Sequence, residues 1–118
     1  MRDSQEFPNF LIVGAAKAGT TSLYRYLETH PQIYFPHIKE PGYFSYCDDP
    51  LDYAGAFYRD ELRLTEDAYL QLFTDVSTEL AVGEASTQYL YLYQRTIPRI
   101  RAFNPAMKII IMLRQPVE

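Results

Sequence analysis

The stretch from Phe10 to Leu27 reads FLIVGAAKAGTTSLYRYL and decides the fold. It opens with four apolar residues in a row and then reaches Gly14, a pattern typical of a strand buried on both faces of a parallel sheet. Farther on, Leu23, Tyr26 and Leu27 recur at helical spacing, and the three hydroxyl residues before them can cap the first turn. The stretch therefore predicts a strand, a glycine-rich loop and a helix in direct succession.

The rest of the chain continues this alternation. The first helix is expected to stop near His30, because Pro31 disfavours helical geometry in the residue before it. The sequence between Gln32 and Leu64 is loop-rich. The remaining predicted elements are two strands, Leu80–Val82 and Ile109–Leu113, and three helices, Tyr53–Arg59, Thr65–Asp75 and Gln94–Phe103, the last interrupted or started at Pro98. Alternating strands and helices predict an α/β fold with a parallel sheet.

Composition narrows the possible classes of protein. The 118 residues are 47% hydrophobic and 22% charged, which is typical of one soluble globular unit. The formal net charge of −4 argues against a nucleic-acid-binding surface. Cys47 is the only cysteine, so no internal disulfide can form, and the two aspartates that follow it disfavour a reactive thiolate.

The ends of the chain carry two further expectations. No apolar run approaches the roughly 20 residues that span a membrane, and Met1 to Asn9 lack the basic-then-apolar order of a secretory signal, so a cytoplasmic protein without a membrane segment is expected. The last predicted strand lies only a few residues before Glu118. Because three strands would leave long exposed edges, we expect the domain to be truncated on its C-terminal side.

The segment Gly14 to Thr21 has the features of an anion-binding loop. Its glycines permit positive φ and close backbone approach, while successive amides and the helix N-terminus offer hydrogen bonds and partial positive charge. Thr20 and Thr21 add hydroxyl donors, and Lys17 adds a full positive charge. Loops of this kind also occur in ordinary strand-to-helix turns, so the segment alone does not define a function.

The loop differs from that of nucleotide triphosphatases. Its lysine precedes the second glycine, whereas the triphosphatase pattern places lysine directly after it. The last strand runs into Arg114 rather than into an acidic residue that could hold magnesium. These two differences favour a terminal sulfuryl group as the bound anion, and no metal is expected.

Several motifs, in the same order, resemble those of the 3′-phosphoadenosine 5′-phosphosulfate-dependent sulfotransferase superfamily, closest to its heparan-sulfate-type, carbohydrate-acting branch. The loop resembles the superfamily's 5′-phosphosulfate loop. Four later segments resemble the branch's Lys-Glu-x-x-Phe-Phe, Tyr-x-x-Gly-x-x-Trp-Tyr, Gly-Glu-Lys-Ser-Pro-x-Tyr and Leu-Arg-Asp-Pro patterns, and they are Lys39–Phe44, Tyr53–Tyr58, Gly83–Tyr89 and Ile109–Pro116. The resemblance implies a P-loop-like three-layer fold, with residues 1–118 forming the N-terminal part of a single sulfotransferase domain.

The resemblance implies transfer of a sulfuryl group from that donor to an acceptor hydroxyl or amine by in-line displacement. Lys17 would neutralise the charge that grows on the bridging oxygen. Arg114 matches the family's arginine for the 3′-phosphate, whose partner serine would lie beyond Glu118. The residues expected to contact the donor are Ala16, Lys17, Ala18, Gly19, Thr20, Thr21, Ser22 and Arg114.

Glu40 matches the position of the branch's catalytic base, a role that a carboxylate can fill when its surroundings adjust its pKa. A structural salt bridge is the alternative role for Glu40, and Lys39 beside it can pair with another acid. His37 is the rival base, three residues earlier. His30 is expected to be a helix-end residue.

Two departures from the family pattern bear on the acceptor. Ala85 stands where the branch has lysine, and Gln115 stands where it has aspartate. Together with the low positive charge, Ala85 disfavours a highly sulfated polysaccharide and favours a small glycan, a glycolipid or a small metabolite as acceptor. Two other functions remain open at this point, a non-catalytic nucleotide-binding module and a P-loop kinase or triphosphatase.

Overall fold

The computed structural model describes residues 7–15, 18–47 and 65–113. Predictions for Ala16, Lys17, Arg114 and Gln115, and for the helix from Tyr53 to Arg59, lie outside these ranges. The elements follow in the order β1 (Phe10–Gly14), α1 (Thr20–Glu28), β2 (Ile33–Tyr34), α2 (Tyr43–Tyr46), α3 (Glu66–Gln71), β3 (Ala81–Ala85), α4 (Gln88–Tyr91), α5 (Tyr93–Phe103) and β4 (Lys108–Ile111).

The four strands form one parallel sheet in the order β2-β3-β1-β4. In the centre, Ile12 of β1 lies opposite Ala85 of β3 on one side and Ile110 of β4 on the other. Because the strands are parallel, the residues that follow β1, β3 and β4 meet at one edge of the sheet, which we call the carboxyl edge. Open α/β sheets bind their ligands at this edge.

The side chains of β1 alternate between two apolar clusters, one on each face of the sheet. Leu11 and Val13 pack with buried residues of α2 to α5, whereas Phe10 and Ile12 pack against α1. All five residues of β1 are buried, as the unbroken apolar run predicts. The predicted α/β fold, with helices on both faces of a parallel sheet, is therefore confirmed.

Two of the predicted helices differ from the observed ones in detail. The helix predicted from Thr65 begins there, because the Thr65 hydroxyl accepts a hydrogen bond from the Ala68 amide at 3.2 Å. It ends at Gln71 instead of Asp75, since the following residues form tighter turns. Pro98 lies inside α5 and neither starts nor interrupts it. Its exposed position leaves the buried face of the helix free to pack.

The strand boundaries and the number of strands also differ from the prediction. The strand predicted at Leu80 to Val82 runs from Ala81 to Ala85, and the two-residue strand β2 extends the sheet beyond it. The last strand is an edge of the described sheet. Three of its four residues are exposed, although its apolar run made it the clearest strand in the sequence.

Candidate active site

The loop after β1 turns at the carboxyl edge on two glycines with positive φ. The angle is 141° at Gly14 and 95° at Gly19, both in the left-handed region where a side chain is strained. Gly14 also has little space, because an added Cβ would lie 3.0 Å from the carbonyl oxygen of Thr87. The Ala15 amide donates to the carbonyl of Met112 at 2.8 Å. The loop is thus tied to the residues after β3 and β4.

The donor-contacting residues predicted within the described ranges lie around the start of α1. Thr20 is buried, Ala18 is half-buried, and the side chains of Thr21 and Ser22 are exposed. The prediction that a hydroxyl caps this helix is wrong: Gly19 is the N-cap, and no side chain of the described residues bonds there. Because the N-cap residue is a glycine, it has no side chain to cap the first amides of α1, and uncapped amides at a helix start can bind an anion.

Lys39 is brought to the same turn by the segment that precedes α2. Its Nζ donates to Thr21 Oγ1 at 2.6 Å and lies 5.6 Å from the centroid of the Tyr24 ring. An ammonium group therefore stands at the N-terminus of α1, where the helix dipole already favours negative charge. The sequence suggested an acidic partner for Lys39, and the structure gives it a hydroxyl instead. The position of Lys39 in the Lys-Glu motif was the one sequence signal that could have identified it as a residue of this site.

Glu40 lies at the carboxyl edge beside the residue that follows Ser86. Its Oε1 accepts hydrogen bonds from both the amide and the hydroxyl of Thr87, at 2.9 Å each. The side chain is half-buried, and no donor among residues 7–15, 18–47 and 65–113 bonds to Oε2. Thr87 thus holds the carboxylate through one oxygen and leaves the other to receive a proton.

The two histidines lie in different surroundings. His30 is exposed after α1, and its Nδ1 accepts a hydrogen bond from the Gln32 amide at 3.0 Å, as expected for a helix-end residue. His37 is exposed, and nothing in the described part of the chain hydrogen-bonds to its ring. The geometry therefore holds Glu40 in place far better than its rival His37.

Glu84 on β3 is a buried carboxylate that the sequence analysis did not single out. It is 0% exposed and accepts hydrogen bonds from the hydroxyls of Tyr69 at 2.8 Å, Tyr89 at 2.6 Å and Ser86 at 2.8 Å. Burial raises the pKa of Glu84 from 4.5 to about 7, against the lowering effect of these hydrogen bonds, and the charge of Glu40 raises it further. The glutamate of the third motif was its only sequence signal.

The raised pKa of Glu84 predicts that the protein loses stability as the pH rises. Below pH 4.5 the carboxyl is protonated in both states; between 4.5 and about 7 the unfolded chain releases the proton while the folded chain keeps it. The stability that the protonated Glu84 contributes is therefore complete below pH 4.5 and lost above about pH 7. At about 1.4 kcal/mol per pKa unit, the free energy of unfolding falls by an amount on the order of 3 kcal/mol. Urea denaturation at pH 5 and pH 8.5 measures how much the free energy of unfolding falls between the two pH values. This fall should be smaller in Glu84→Gln than in the parent protein, and an equal fall in both would contradict the raised pKa of Glu84.

Ala85 is buried on the opposite face of the sheet, in the cluster that packs against α1. The position that holds lysine in the resembling branch therefore offers no side chain to an acceptor here. The sequence-predicted residues that the structure brings to the carboxyl edge are Ala18, Gly19, Thr20, Thr21, Ser22 and Glu40, and it adds Lys39 and Thr87.

Two kinds of feature are absent from residues 7–15, 18–47 and 65–113. No helix among them combines the length and apolar character needed to cross a membrane. Nor do they contain a group of three or more His, Cys, Asp or Glu side chains arranged to hold a metal ion. The cytoplasmic location expected from the sequence stays a prediction.

Known proteins similar to this chain are sulfotransferases. A crystal structure of a sulfotransferase from Alicyclobacillus acidocaldarius matches 91% of this chain and 44% of its own length, with a TM-score of 0.76 and 47% identity. The membrane-associated sulfotransferase kil1 of Dictyostelium discoideum is 32% identical over 94% of this chain and 21% of its own length. Human heparan sulfate glucosamine 3-O-sulfotransferase 6 is 31% identical over 96% of this chain and 28% of its own length.

These matches extend along nearly all of this chain, while the chain spans less than half the length of each of the three proteins. No protein-family model matches the chain. The solved sulfotransferase shares the fold of this chain, and its 47% identity means that the two sequences are similar as well as the two folds. The order of the motifs around the carboxyl edge agrees with this result. Along nearly its whole length, the chain is therefore similar to proteins of the sulfotransferase superfamily.

Proposed function

We propose that the protein is a sulfotransferase that moves a sulfuryl group from 3′-phosphoadenosine 5′-phosphosulfate to a hydroxyl or amine of a carbohydrate or small-molecule acceptor. Residues 1–118 would form the N-terminal part of one such domain. The observation that carries the proposal is the adjacency of two opposite charges: Lys39 bonds to the first turn of α1, and the next residue, Glu40, bonds to Thr87. Sulfuryl transfer requires positive groups that stabilise the leaving phosphate and a base that accepts the acceptor's proton. The N-terminus of α1 with Lys39 can supply the first, and Glu40 can supply the second.

In the proposed reaction the acceptor oxygen or nitrogen attacks sulfur in line with the bond to the bridging oxygen. The new bond to sulfur forms as the old one breaks, the acceptor proton passes to Glu40 Oε2, and 3′-phosphoadenosine 5′-phosphate leaves. Lys17 would neutralise the charge that grows on the bridging oxygen, and Arg114 would bind the 3′-phosphate. The amides at the start of α1 and Lys39 would hold the 5′-phosphate, so the step needs no metal.

A carbohydrate acceptor is supported by one of the relatives, whose name refers to heparan sulfate glucosamine. The burial of Ala85 removes one cationic contact that a polyanionic chain would use, and the whole sequence has a net charge of −4. We therefore favour a small glycan, a glycolipid or a small metabolite over a highly sulfated polysaccharide.

Donor binding tests the proposal without knowledge of the acceptor. Calorimetry with 3′-phosphoadenosine 5′-phosphate should give saturable binding that Lys39→Ala weakens about tenfold, because it removes one charge-assisted hydrogen bond donor. Lys17→Ala and Arg114→Ala should weaken it at least as much. Lys108→Ala is the matched control, since this exposed lysine begins β4 at the opposite end of the strands.

Two results would contradict the proposed donor site. One is equal affinity for ATP with magnesium, which would favour a P-loop kinase or triphosphatase. The other is a uniform loss of affinity in all lysine variants, Lys108→Ala included, which would indicate nonspecific attraction of anions. Nucleotide binding without turnover on a panel of monosaccharides, oligosaccharides and glycolipids would favour a non-catalytic module.

A further inference from the structure

The carboxylate of Glu84 takes no part in the proposed reaction, yet it lies at the centre of a hydrogen-bond network beneath the site. It is 0% exposed and accepts from three hydroxyls, those of Tyr69, Tyr89 and Ser86. Burying a carboxylate is costly unless it is held in this way, and removing its charge would remove most of that cost. A buried acid held by three hydroxyls therefore suggests a role that an apolar side chain could not fill.

Two of the three hydroxyls also contact the segment that carries Glu40. Ser86 Oγ accepts a hydrogen bond from the Gly42 amide at 3.0 Å, and the Tyr89 hydroxyl accepts one from the Phe44 amide at 3.3 Å. These amides lie at the start of α2, where no intrahelical acceptor exists and the N-cap residue, Gly42, has no side chain to accept from them. Glu84 is thus linked to the start of α2 by two paths, from Oε1 through the Ser86 hydroxyl and from Oε2 through the Tyr89 hydroxyl.

The direction of these hydrogen bonds depends on Glu84. An ionised carboxylate only accepts, so the Ser86 and Tyr89 hydroxyls must both point their protons at it. Each hydroxyl oxygen then turns lone pairs towards the α2 amides. Burial, followed by the charge of Glu84, raises the pKa of Tyr69 and Tyr89 well above the ordinary value, so both phenols remain donors.

The same short segment is held from its other side by α5. Arg99 Nη1 donates to the carbonyls of Phe44 at 3.1 Å and Ser45 at 2.9 Å, and Arg95 Nη1 donates to that of Ser45 at 3.2 Å. The amides of α2 face the Glu84 network and its carbonyls face two arginines. The backbone from Gly42 to Ser45, which begins two residues after Glu40, is therefore held by hydrogen bonds to its amides and to its carbonyls.

We propose that Glu84 is a positioning residue for Glu40: its buried carboxylate orients the hydroxyls of Ser86 and Tyr89, and these hold the start of α2 so that Glu40 meets Thr87 at the carboxyl edge. This inference rests on the proposed function for the role of Glu40. The hydrogen-bond network itself can be tested separately. Within the described residues, the titratable groups that interact with Glu84 are Tyr24, Tyr69, Tyr89 and Glu40.

Two tyrosines provide a matched pair of variants. Tyr69→Phe and Tyr89→Phe each remove one phenol from the same oxygen, Glu84 Oε2, but only the Tyr89 hydroxyl also accepts from Phe44. Residue-resolved amide exchange of the whole protein at pH 8 should show faster exchange at Phe44 in Tyr89→Phe, by about tenfold, and no change there in Tyr69→Phe. Ser86→Ala should have the corresponding effect on the Gly42 amide. Unchanged exchange at both amides would overturn the inference.

Glu84→Gln tests the directional argument. A glutamine donates from one of its two polar ends, so at least one hydroxyl must turn its proton away from residue 84 and weaken its hold on Gly42 or Phe44. We expect faster exchange at one of these amides, and a kcat about tenfold lower with the donor KM unchanged, because a displaced base slows only the chemical step. Tyr69→Phe should keep kcat within about twofold.

The outcomes separate this inference from the proposed function. If Tyr69→Phe lowers kcat as much as Tyr89→Phe does, the network contributes stability alone and the positioning role is wrong. If the parent protein turns over no acceptor while the amides respond as described, the proposed function fails and the link from Glu84 to α2 stands. A fall in kcat without any change in amide exchange would also overturn the inference.

Discussion

Glu40→Gln should lower the kcat of sulfuryl transfer by about 10²- to 10⁴-fold, the usual contribution of a general base. Glutamine keeps the shape of the side chain, and its carbonyl oxygen can still accept both hydrogen bonds from Thr87. The substitution therefore removes the proton acceptor while the site keeps its structure. Steady-state kinetics with a responsive acceptor, and calorimetry with 3′-phosphoadenosine 5′-phosphate, should show a loss in kcat with unchanged donor affinity.

His37→Gln is the control for this experiment, because His37 is the rival base in the sequence and is exposed without a described hydrogen bond. We expect this variant to turn over at the parent rate. Full activity in Glu40→Gln together with a large loss in His37→Gln would move the base assignment to His37. Equal losses in donor affinity and kcat for Glu40→Gln would instead point to a structural salt bridge.

Gly14→Ala should lower the free energy of unfolding by roughly 4 kcal/mol, through backbone strain of about 1–3 kcal/mol and overpacking of similar size. Its φ is 141°, and the added Cβ would lie 3.0 Å from the Thr87 carbonyl oxygen and 3.1 Å from Leu90 Cβ. Neither atom can move easily, since one is backbone and the other is the first atom of a side chain in α4. Urea denaturation measures the loss.

Gly19→Ala separates the two causes. Its φ of 95° imposes backbone strain, but the nearest atom to an added Cβ is the end of a flexible side chain, Met112 Cε at 3.5 Å. We expect a loss of about 1–2 kcal/mol, the strain alone. If Gly14→Ala and Gly19→Ala cost the same, the close approach of Thr87 to the loop contributes nothing.

The elements that could be predicted from the sequence are those with a long periodic pattern or an uninterrupted apolar run. The apolar run of β1 and the acidic first turn after Thr65 depend on neighbours a few residues away, so they are legible in a single sequence. The four-residue helices α2 and α4 and the two-residue strand β2 span too little chain for a period to appear. Their conformation depends on tertiary partners, such as the hydroxyls that receive the first amides of α2.

The exposure of β4 could not be predicted for a related reason. An apolar run indicates that a strand lies in a sheet, but its burial depends on how many layers and neighbours the rest of the sheet supplies. Here β4 is an edge of the described strands, with Ile109 45% and Ile111 50% exposed. A comparable apolar run at the centre of the sheet, in β1, is buried throughout.

By itself, the sequence determined the strand-loop-helix unit around Gly14 and Gly19, because local spacing is a property of neighbouring residues. The resemblance of its motifs to the heparan-sulfate-type branch added Glu40 as a candidate base. Only the tertiary structure brought Lys39 to Thr21, set Glu40 against Thr87 and buried Glu84 among three hydroxyls. The contacts of Lys39 and Glu40 join residues 18 and 47 positions apart, and the parallel sheet brings them together by gathering the ends of separate strands at one edge. Their hydrogen bonds gain strength from burial, which no single stretch of sequence contains.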